Sequence, residues 1–422
     1  MKVYTEAYGC AANQGDASIV EGILEREGHE LVDSIENADV LILFTCIVIE
    51  KTEQRMLHRM SIFRDAKKPL IVAGCMASAM PGMVKKILPE AYLLPPRSLH
   101  EISNIMDFAL EGRRYKKSAQ EVDKSVLPIK TGIKVNIPIS DGCLYNCSYC
   151  ITKRARGSLT SYSEGGIAEM AADAIRKGCR EIRLTSQDTA AYGMDSGSSF
   201  LSLVERVCSI EGNFRIRVGM MHPLSLKKRM DEIIEIFSKR KVYKFLHLPL
   251  QSGSDEILKK MRRGYTFDDF REMVEEMRKK VKDITFATDV IVAFPTESEE
   301  QFEETCNAIR ELEPDVINIT RFSPRPYTDA KKMARIDTKI AKERSRKITE
   351  IASSTTLKKN KECIGRSYEV MVVEKQGRWT VGKTENYKSV FLDKGIPGEF
   401  FTVDITDATE THLMGERRKN QI

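Results

Sequence analysis

The sequence predicts an α/β protein in three parts: an N-terminal parallel α/β domain over residues 1–112, a central partial (β/α)6 barrel over 130–360, and a small antiparallel β-barrel over 361–422. Three observations carry this. Short apolar runs alternate with amphipathic segments through most of the chain, as βα units require. Six of the ten cysteines fall into two sets of three that follow such runs. From about residue 363 the pattern changes to short strands, several of them separated by glycines.

At 422 residues the chain is long enough for two or three separate cores. The formal net charge of +6 is a mild excess and does not by itself indicate nucleic acid. Ten cysteines are too few for a disulfide framework, and their grouping points to metal binding in a reducing cytosol. The N-terminus lacks a signal-peptide pattern, and the most apolar stretch, 40–49, is too short to span a bilayer. A cytoplasmic protein with no membrane partner is expected.

In the N-terminal part, residues 3–8, 40–45 and 70–74 read as strands. Residues 17–27, 52–63, 81–88 and 99–110 read as helices. Cys10, Cys46 and Cys75 each lie just past one of the three strands. In a parallel sheet those ends share one edge, where ligands bind, so the three thiols are expected to converge. Asn13 and Asp16 follow Cys10 as loop supports or ordinary cap residues.

Residues 112–130 are polar, with Arg113-Arg114 and Lys116-Lys117, and read as a linker. Six strands then alternate with helices: 133–139, 181–186, 215–219, 244–250, 285–293 and 316–322. Just after the first comes Gly142-Cys143-Leu144-Tyr145-Asn146-Cys147-Ser148-Tyr149-Cys150. Thiolates hold iron–sulfur clusters, and a four-iron cluster normally takes four. Three close cysteines leave one iron open to a small molecule. A zinc site wants four ligands, usually as two pairs, and no fourth cysteine or histidine lies nearby. Cys179, Cys208, Cys306 and Cys363 have no such spacing and read as core or incidental residues.

The C-x3-C-x2-C stretch resembles the radical S-adenosylmethionine enzymes, in which Tyr149 would lie next to the adenine. Thr152-Lys153-Arg154-Ala155-Arg156-Gly157 looks like the methylthiotransferase branch. Gly9-Cys10-Ala11-Ala12-Asn13-Gln14-Gly15-Asp16, Thr45-Cys46-Ile47-Val48 and Ala73-Gly74-Cys75-Met76 resemble that family's three N-terminal cysteine motifs. The resemblance implies two [4Fe-4S] clusters, one on Cys143, Cys147 and Cys150 and an auxiliary one on Cys10, Cys46 and Cys75, together with S-adenosyl-L-methionine, tRNA, an external electron donor and a sulfur source.

By the same resemblance, Gln187, Asp188, Arg217, Gln251 and Asp289, all at barrel strand ends, belong to the cofactor chamber. Lys153, Arg154 and Arg156 are expected to meet substrate. His222 and His247 titrate in a useful range but have no carboxylate fixed beside them in sequence, so both read as structural, and no acid or base is assigned. Gly165-Gly166 lies where many superfamily members have a Gly-Gly-Glu segment. Here Glu164 precedes the glycines and they open a helix, so that role does not carry over.

Phe322-Ser323-Pro324-Arg325-Pro326-Tyr327-Thr328 resembles the family's Arg-Pro-Gly-Thr motif, with Tyr327 where glycine is usual. Residues 331–361 hold 11 Lys or Arg against 3 Asp or Glu in a helical pattern. They lead into strands at 368–374, 379–382, 389–392 and 400–406, which resemble the TRAM module. Such barrels bind RNA through basic and aromatic side chains, here Arg378, Trp379, Lys383, Tyr387 and Lys388. The motifs look most like the archaeal and eukaryotic branch, which acts on N6-threonylcarbamoyladenosine. Methylthiolation of isopentenylated adenosine or of a ribosomal-protein aspartate stands as the enzyme alternative, and a non-catalytic iron–sulfur carrier or RNA scaffold as the alternative of another class.

Overall fold

A computed structural model describes residues 1–48, 50–113, 115 and 121–418. Of the predicted linker's basic doublets, Arg114, Lys116 and Lys117 lie outside the described residues. The chain divides into two compact units. The first comprises Met1–Lys177, Ile182–Ile210 and Ser323–Lys331, and the second Gly178–Glu181, Glu211–Phe322 and Lys332–Ile422.

The first unit opens with a five-stranded parallel sheet in the order β2-β1-β3-β4-β5. Its strands are β1 (Lys2–Ala7), β2 (Glu30–Leu31), β3 (Val40–Thr45), β4 (Leu70–Gly74) and β5 (Tyr92–Leu94). β3 and β4 are buried along their whole length, as an inner parallel strand covered on both faces must be. Its helices are α1 (Ala11–Arg26), α2 (Glu50–Asp65), α3 (Cys75–Ala79), α4 (Pro81–Ile87) and α5 (Ile102–Leu110). The short edge strands β2 and β5, and helix α3 beginning on Cys75 itself, add to the predicted elements.

The same unit continues through β6 (Lys134–Pro138), β7 (Ser140–Asp141), α6 (Thr152–Arg156), β8 (Thr160–Ser161) and α7 (Glu164–Arg176). Most of β9 (Glu181–Thr185) and α8 (Phe200–Cys208) follow. α1 packs against this continuation: a Cβ on Gly15 would lie 2.8 Å from the Asn136 carbonyl, and one on Gly22 would lie 2.8 Å from the Ile129 backbone. Ile151, just before α6, and Ala155 within it join the core formed by Leu41, Leu43, Met56, Phe63 and Met76. Ser163 caps α7 by accepting from the Gly166 N–H, so the Gly165-Gly166 pair does open a helix.

The predicted linker is not simply a solvated spacer. Lys124, in a short 3-10 turn over Lys124–Val126, is only 2% exposed. Composition pointed to solvent, but carboxylates distant in sequence draw this ammonium group inward.

The second unit holds β10 (Arg215–Val218), β11 (Phe245–His247), β12 (Thr285–Val292) and β13 (Val316–Arg321), of which β11, β12 and β13 form a parallel ladder. Its helices are α9 (Pro223–Lys228), α10 (Met230–Ser238), α11 (Asp255–Met261), α12 (Phe267–Lys280), α13 (Glu299–Leu312) and the long α14 (Thr338–Lys361). α12 and α13 both begin with full capping boxes, Thr266 with Asp269 and Ser298 with Gln301. The six barrel strands of the sequence are therefore divided between the two units.

The C-terminal strands, β14 (Ser367–Gln376), β15 (Trp379–Thr384), β16 (Ser389–Leu392), β17 (Phe400–Ala408) and β18 (Leu413–Arg417), close into a barrel in the order β14-β15-β16-β18-β17. The barrel is antiparallel except where β16 pairs with β18. β18 is a strand beyond those predicted, its Leu413-Met414-Gly415 pattern being too short to show a period.

Two of the predicted RNA contacts are instead anchors of this barrel. Tyr387 packs edge-on against Tyr243 and Phe245, with ring centroids 4.8 and 5.0 Å away, and its hydroxyl donates to Glu181 at 2.8 Å. Lys388 is 8% exposed and bonds Asp315 at 2.7 Å and Asn360 at 3.0 Å. An aromatic ring and an ammonium on a turn read as binding groups only while their partners, tens of residues away, are unseen. Tyr387→Ala should lower unfolding stability by about 3 kcal/mol through lost packing, measurable by urea denaturation.

Candidate functional site

The first cysteine set is assembled by the ends of β1, β3 and β4. Cys10 is the extended N-cap residue of α1, Cys46 follows β3, and Cys75 is the first residue of α3. Gly9 (φ +107°) brings its backbone so close to Cys46 that a Cβ there would lie 2.6 Å from the Cys46 Cβ and 2.9 Å from its sulfur. Gly74 (φ +84°) does the same against Asn13 Oδ1 and the Thr45 carbonyl, each 2.6 Å from a hypothetical Cβ. Both glycines satisfy a left-handed backbone and a close approach at once. Asn13 is buried and its amide donates to the Tyr8 carbonyl at 2.5 Å, tying α1 back to β1.

The second set sits on the loop after β7. Gly142 (φ +83°) turns the chain, and a Cβ there would lie 2.0 Å from the Ser158 carbonyl. The side chain of Gln187 accepts from the Gly142 N–H at 2.7 Å and so braces the loop. The Cys150 N–H bonds the Cys147 carbonyl at 3.1 Å, and the Tyr145 N–H reaches Cys143 Sγ at 3.4 Å. Tyr149 is half-buried and Asp188 is buried.

The thiols of each set oppose one another's ionisation. Burial pushes Cys75 and Cys143 up to about 12, and the neighbouring cysteines add to it: Cys10 and Cys46 for Cys75, and Cys150 and Cys147, after Asp188, for Cys143. Burial also raises Cys46 and Cys150. A cationic centre that binds the thiolates together relieves all of these penalties. The donor set of each trio is sulfur only, which suits an iron–sulfur group.

The two sets are connected by a cluster of four buried charges. Arg156 donates through Nη2 to Asp16 at 2.6 Å and through Nη1 to Asp141 at 2.5 Å. Lys124 bridges the same carboxylates at 2.5 and 2.6 Å, and the Tyr162 hydroxyl donates to Asp141 at 2.9 Å. Asp16 lies two turns into α1 from Cys10, and Asp141 lies two residues before Cys143. Arg156 also acts on Cys75, lowering its pKa by charge and hydrogen bond against the dominant effect of burial. The predicted substrate contact at Arg156 is thus corrected: the side chain is 1% exposed and committed to these internal partners.

Its neighbours stay outward. Lys153 is half-buried with Nζ 3.4 Å from the Leu144 carbonyl. Arg154 is exposed and lies 3.9 Å from the ring centroid of Tyr327. Tyr327, at φ +63°, keeps the left-handed backbone that glycine favours in this position, at about 1–2 kcal/mol for a residue with a Cβ. Arg325 is a site-bordering residue that sequence reasoning left without a role. It pairs with Glu53 and donates to the Ile47 carbonyl, next to Cys46, while the nearby Ala330 N–H bonds the Ser148 carbonyl between Cys147 and Cys150.

In the second unit, Arg217 lies over the rings of Phe245 and Tyr387 at 4.5 and 5.2 Å and donates to the Val218 carbonyl. Gln251 (φ +76°) is held by backbone bonds to Asp289 and Ile291. Asp289 accepts from Asn318 at 2.7 Å and contacts His247 Nε2 at 3.0 Å. Burial opposes its charge, but the His247 bond and charge, with Asn318, hold its pKa below the ordinary value. His247, with no carboxylate beside it in sequence, finds one 42 residues away. His222 has the structural role expected: it caps α9 by accepting from the Leu224 N–H, and burial, then Arg263, depress its pKa to about 2.

On the barrel, Arg378 is exposed and stacks 4.7 Å from the half-buried Trp379, and Lys383 bonds Ser389 at 2.7 Å. Of the remaining cysteines, Cys179 and Cys363 are buried against backbone carbonyls, Cys208 ends α8, and Cys306 is buried within α13.

Family models match in the same order along the chain: uncharacterized protein family UPF0004 over residues 2–94, the radical SAM superfamily over 137–309, and the TRAM domain over 361–416. A protein of Methanocaldococcus jannaschii named "Probable threonylcarbamoyladenosine tRNA methylthiotransferase" is 42% identical over 422 residues, covering 99% of this chain and 97% of that one. The chain belongs to the threonylcarbamoyladenosine tRNA methylthiotransferase family. A member from Archaeoglobus fulgidus is 40% identical over the full length of both chains, and one from Drosophila melanogaster is 32% identical, with 77% of its length covered. Among solved structures, the radical S-adenosylmethionine methyltransferase TsrM from Kitasatospora setae shares the fold, with a TM-score of 0.60 at 14% identity over 78% of this chain and 73% of that one. No helix among the described residues of this family member is long and apolar enough to cross a membrane.

Arg156→Met should destabilise the protein by about 3–5 kcal/mol, because it leaves two buried carboxylates to share the charge of Lys124. Asp141 adds a pH dependence. Burial opposes its charge, but Lys124 and Arg156 outweigh this and hold its carboxyl well below the usual range. Its contribution is fully present above its unfolded pKa of about 3.9 and is lost as pH falls below that value. Denaturant melts should show the parent losing this stability on acidification below about pH 4, while Asp141→Asn, weaker at neutral pH, lacks that component.

Proposed function

We propose that this chain converts N6-threonylcarbamoyladenosine beside the tRNA anticodon to its 2-methylthio derivative. The observation that carries this reading is the pair of three-cysteine sites joined through Asp16, Arg156 and Asp141 within one unit, in a chain aligned from end to end with its family. Cys143, Cys147 and Cys150 would hold one [4Fe-4S] cluster, and Cys10, Cys46 and Cys75 a second. When bound, these groups with S-adenosylmethionine supply a 5′-deoxyadenosyl radical and a sulfur destined for carbon 2, the hard chemistry being the cofactor's own.

The protein's share is binding and orientation. Gln187 fixes the turn before Cys143, and Asp188 sets a negative charge near that thiol. Asp289, held ionised between His247 and Asn318, offers an acceptor for hydroxyl or ammonium groups of the cofactor. Tyr149, Arg217 and Gln251 complete the cofactor set. Lys153, Arg154, Arg378 and Lys383 serve the RNA, and the segments 1–112, 130–360 and 361–422 divide the work among auxiliary cluster, radical chemistry and RNA. The setting is cytoplasmic, with an external electron donor and sulfur source.

Nucleoside analysis of tRNA from a strain lacking this chain should show unmethylthiolated N6-threonylcarbamoyladenosine accumulating. A fully methylthiolated pool would refute the substrate assignment, and loss of methylthio groups from isopentenylated adenosine instead would redirect it. In anaerobically reconstituted protein given S-adenosylmethionine and a reductant, replacing Cys143, Cys147 and Cys150 together by Ala should abolish 5′-deoxyadenosine. About four irons should remain per chain on the other trio; persistent cleavage would sink the ligand assignment.

A further inference from the structure

The basic run over 331–361 is not a uniformly solvated face, because α14 sorts its charges. Arg344, 7% exposed, pairs with Glu297 at 2.9 Å and Glu299 at 3.0 Å, and Lys347 and Lys358 pair with Glu303 and Glu313. These cations share the helix with the buried Ile348, Ala352 and Thr355, and together they dock it. Lys342, Arg346 and Thr349, at i, i+4 and i+7, occupy another face. With Ser345, Glu350 and Arg321, the last residue of β13, they line a cavity of about 450 Å³. Lys342, Arg346 and Arg321 are exposed and, among the described residues, have no carboxylate within ion-pair distance.

We infer that this groove binds the phosphodiester backbone of RNA. Three cations against one carboxylate around one concavity leave it net positive, and they gain most from a ligand with regularly placed anions. The hydroxyls of Ser345 and Thr349 are donors suited to phosphate oxygens, and Glu350 is an acceptor to which a ribose 2′-hydroxyl can donate. The location agrees. Arg321 stands three residues beyond Asn318 on the same strand, about 10 Å away at strand rise, and Asn318 holds Asp289. A backbone seated in the groove therefore runs close to the strand ends where barrel ligands bind.

The inference rests on the tRNA reading above, and titration of the full-length protein with tRNA bearing N6-threonylcarbamoyladenosine, over a range of salt concentrations, separates the two. Lys342→Glu/Arg346→Glu should weaken binding by about tenfold or more and reduce the slope of log K against log salt by about 2. Lys342→Gln/Arg346→Gln should give the same slope change if charge reversal disturbs folding. Lys279→Glu, an exposed cation of the same unit, should change affinity by less than about threefold, since non-contacting charges are screened. Cleavage of S-adenosylmethionine without tRNA should be unchanged in all of them. Equal losses from Lys279→Glu, or parental affinity and slope in both double variants, would overturn the groove while leaving the substrate reading intact. Equal affinity for a DNA hairpin of the same sequence would overturn its assignment to RNA, and failure of the parent to bind tRNA would overturn both readings.

Discussion

Four charges that cannot reach water organise the cysteine-bearing unit. Desolvating two carboxylates, an ammonium and a guanidinium is expensive, and the expense is offset only when every oxygen and nitrogen finds its partner at short range. That condition fixes more than distances. Asp16 belongs to the helix that Cys10 begins, Asp141 to the turn that leads to Cys143, Arg156 to the helix after Cys150, and Lys124 to the connector before β6. One electrostatic requirement therefore sets the register between segments that carry different cysteine sets. Arg suits the central position because its planar fork can address two carboxylates at once, which an ammonium on a flexible stem cannot do with the same geometry.

Around this cluster, backbone does what side chains cannot. At Gly9, Gly74 and Gly142 a Cβ would lie 2.0–2.6 Å from neighbouring atoms, so these turns beside the cysteines pack more closely than any side chain allows. Cys75 and Cys143 are unfavourable as anions, since burial and the neighbouring cysteines push both up to about 12, a penalty that a cation binding the thiolates together relieves.

What could be read from the chain and what could not separates along sequence distance. The strands 40–45, 70–74 and 389–392 were legible to the residue because apolar runs with polar or glycine borders are local signals, as was the α/β class with a terminal β-barrel. The spacing of Cys143, Cys147 and Cys150 was equally local. Arg156 was misread because its deciding partner, Asp16, lies 140 residues away, and a motif-borne arginine in sequence looks the same whether it meets RNA or a buried carboxylate. Lys124 in a polar connector and Lys388 on a barrel turn failed for the same reason. Tyr327 is the reverse case. The departure from glycine was visible in the chain, but only the structure shows that the left-handed backbone was kept and the ring placed beneath Arg154.

The short segment Ser323–Lys331 has a consequence for biosynthesis. It belongs to the cysteine-bearing unit although the chain on both sides of it belongs to the other, and it supplies Arg325 to Glu53 and Ile47 and the Ala330 amide to Ser148. On a ribosome that emits the chain from its N-terminus, the partners of those bonds are made first and wait until about three quarters of the chain has been synthesised. Until residue 331 has emerged, Glu53 has no guanidinium and the two cysteine loops lack their shared tether. Neither unit is a continuous stretch of gene, so a fragment ending before residue 323 leaves out part of both, and the nascent chain completes the first unit only after much of the second has been synthesised.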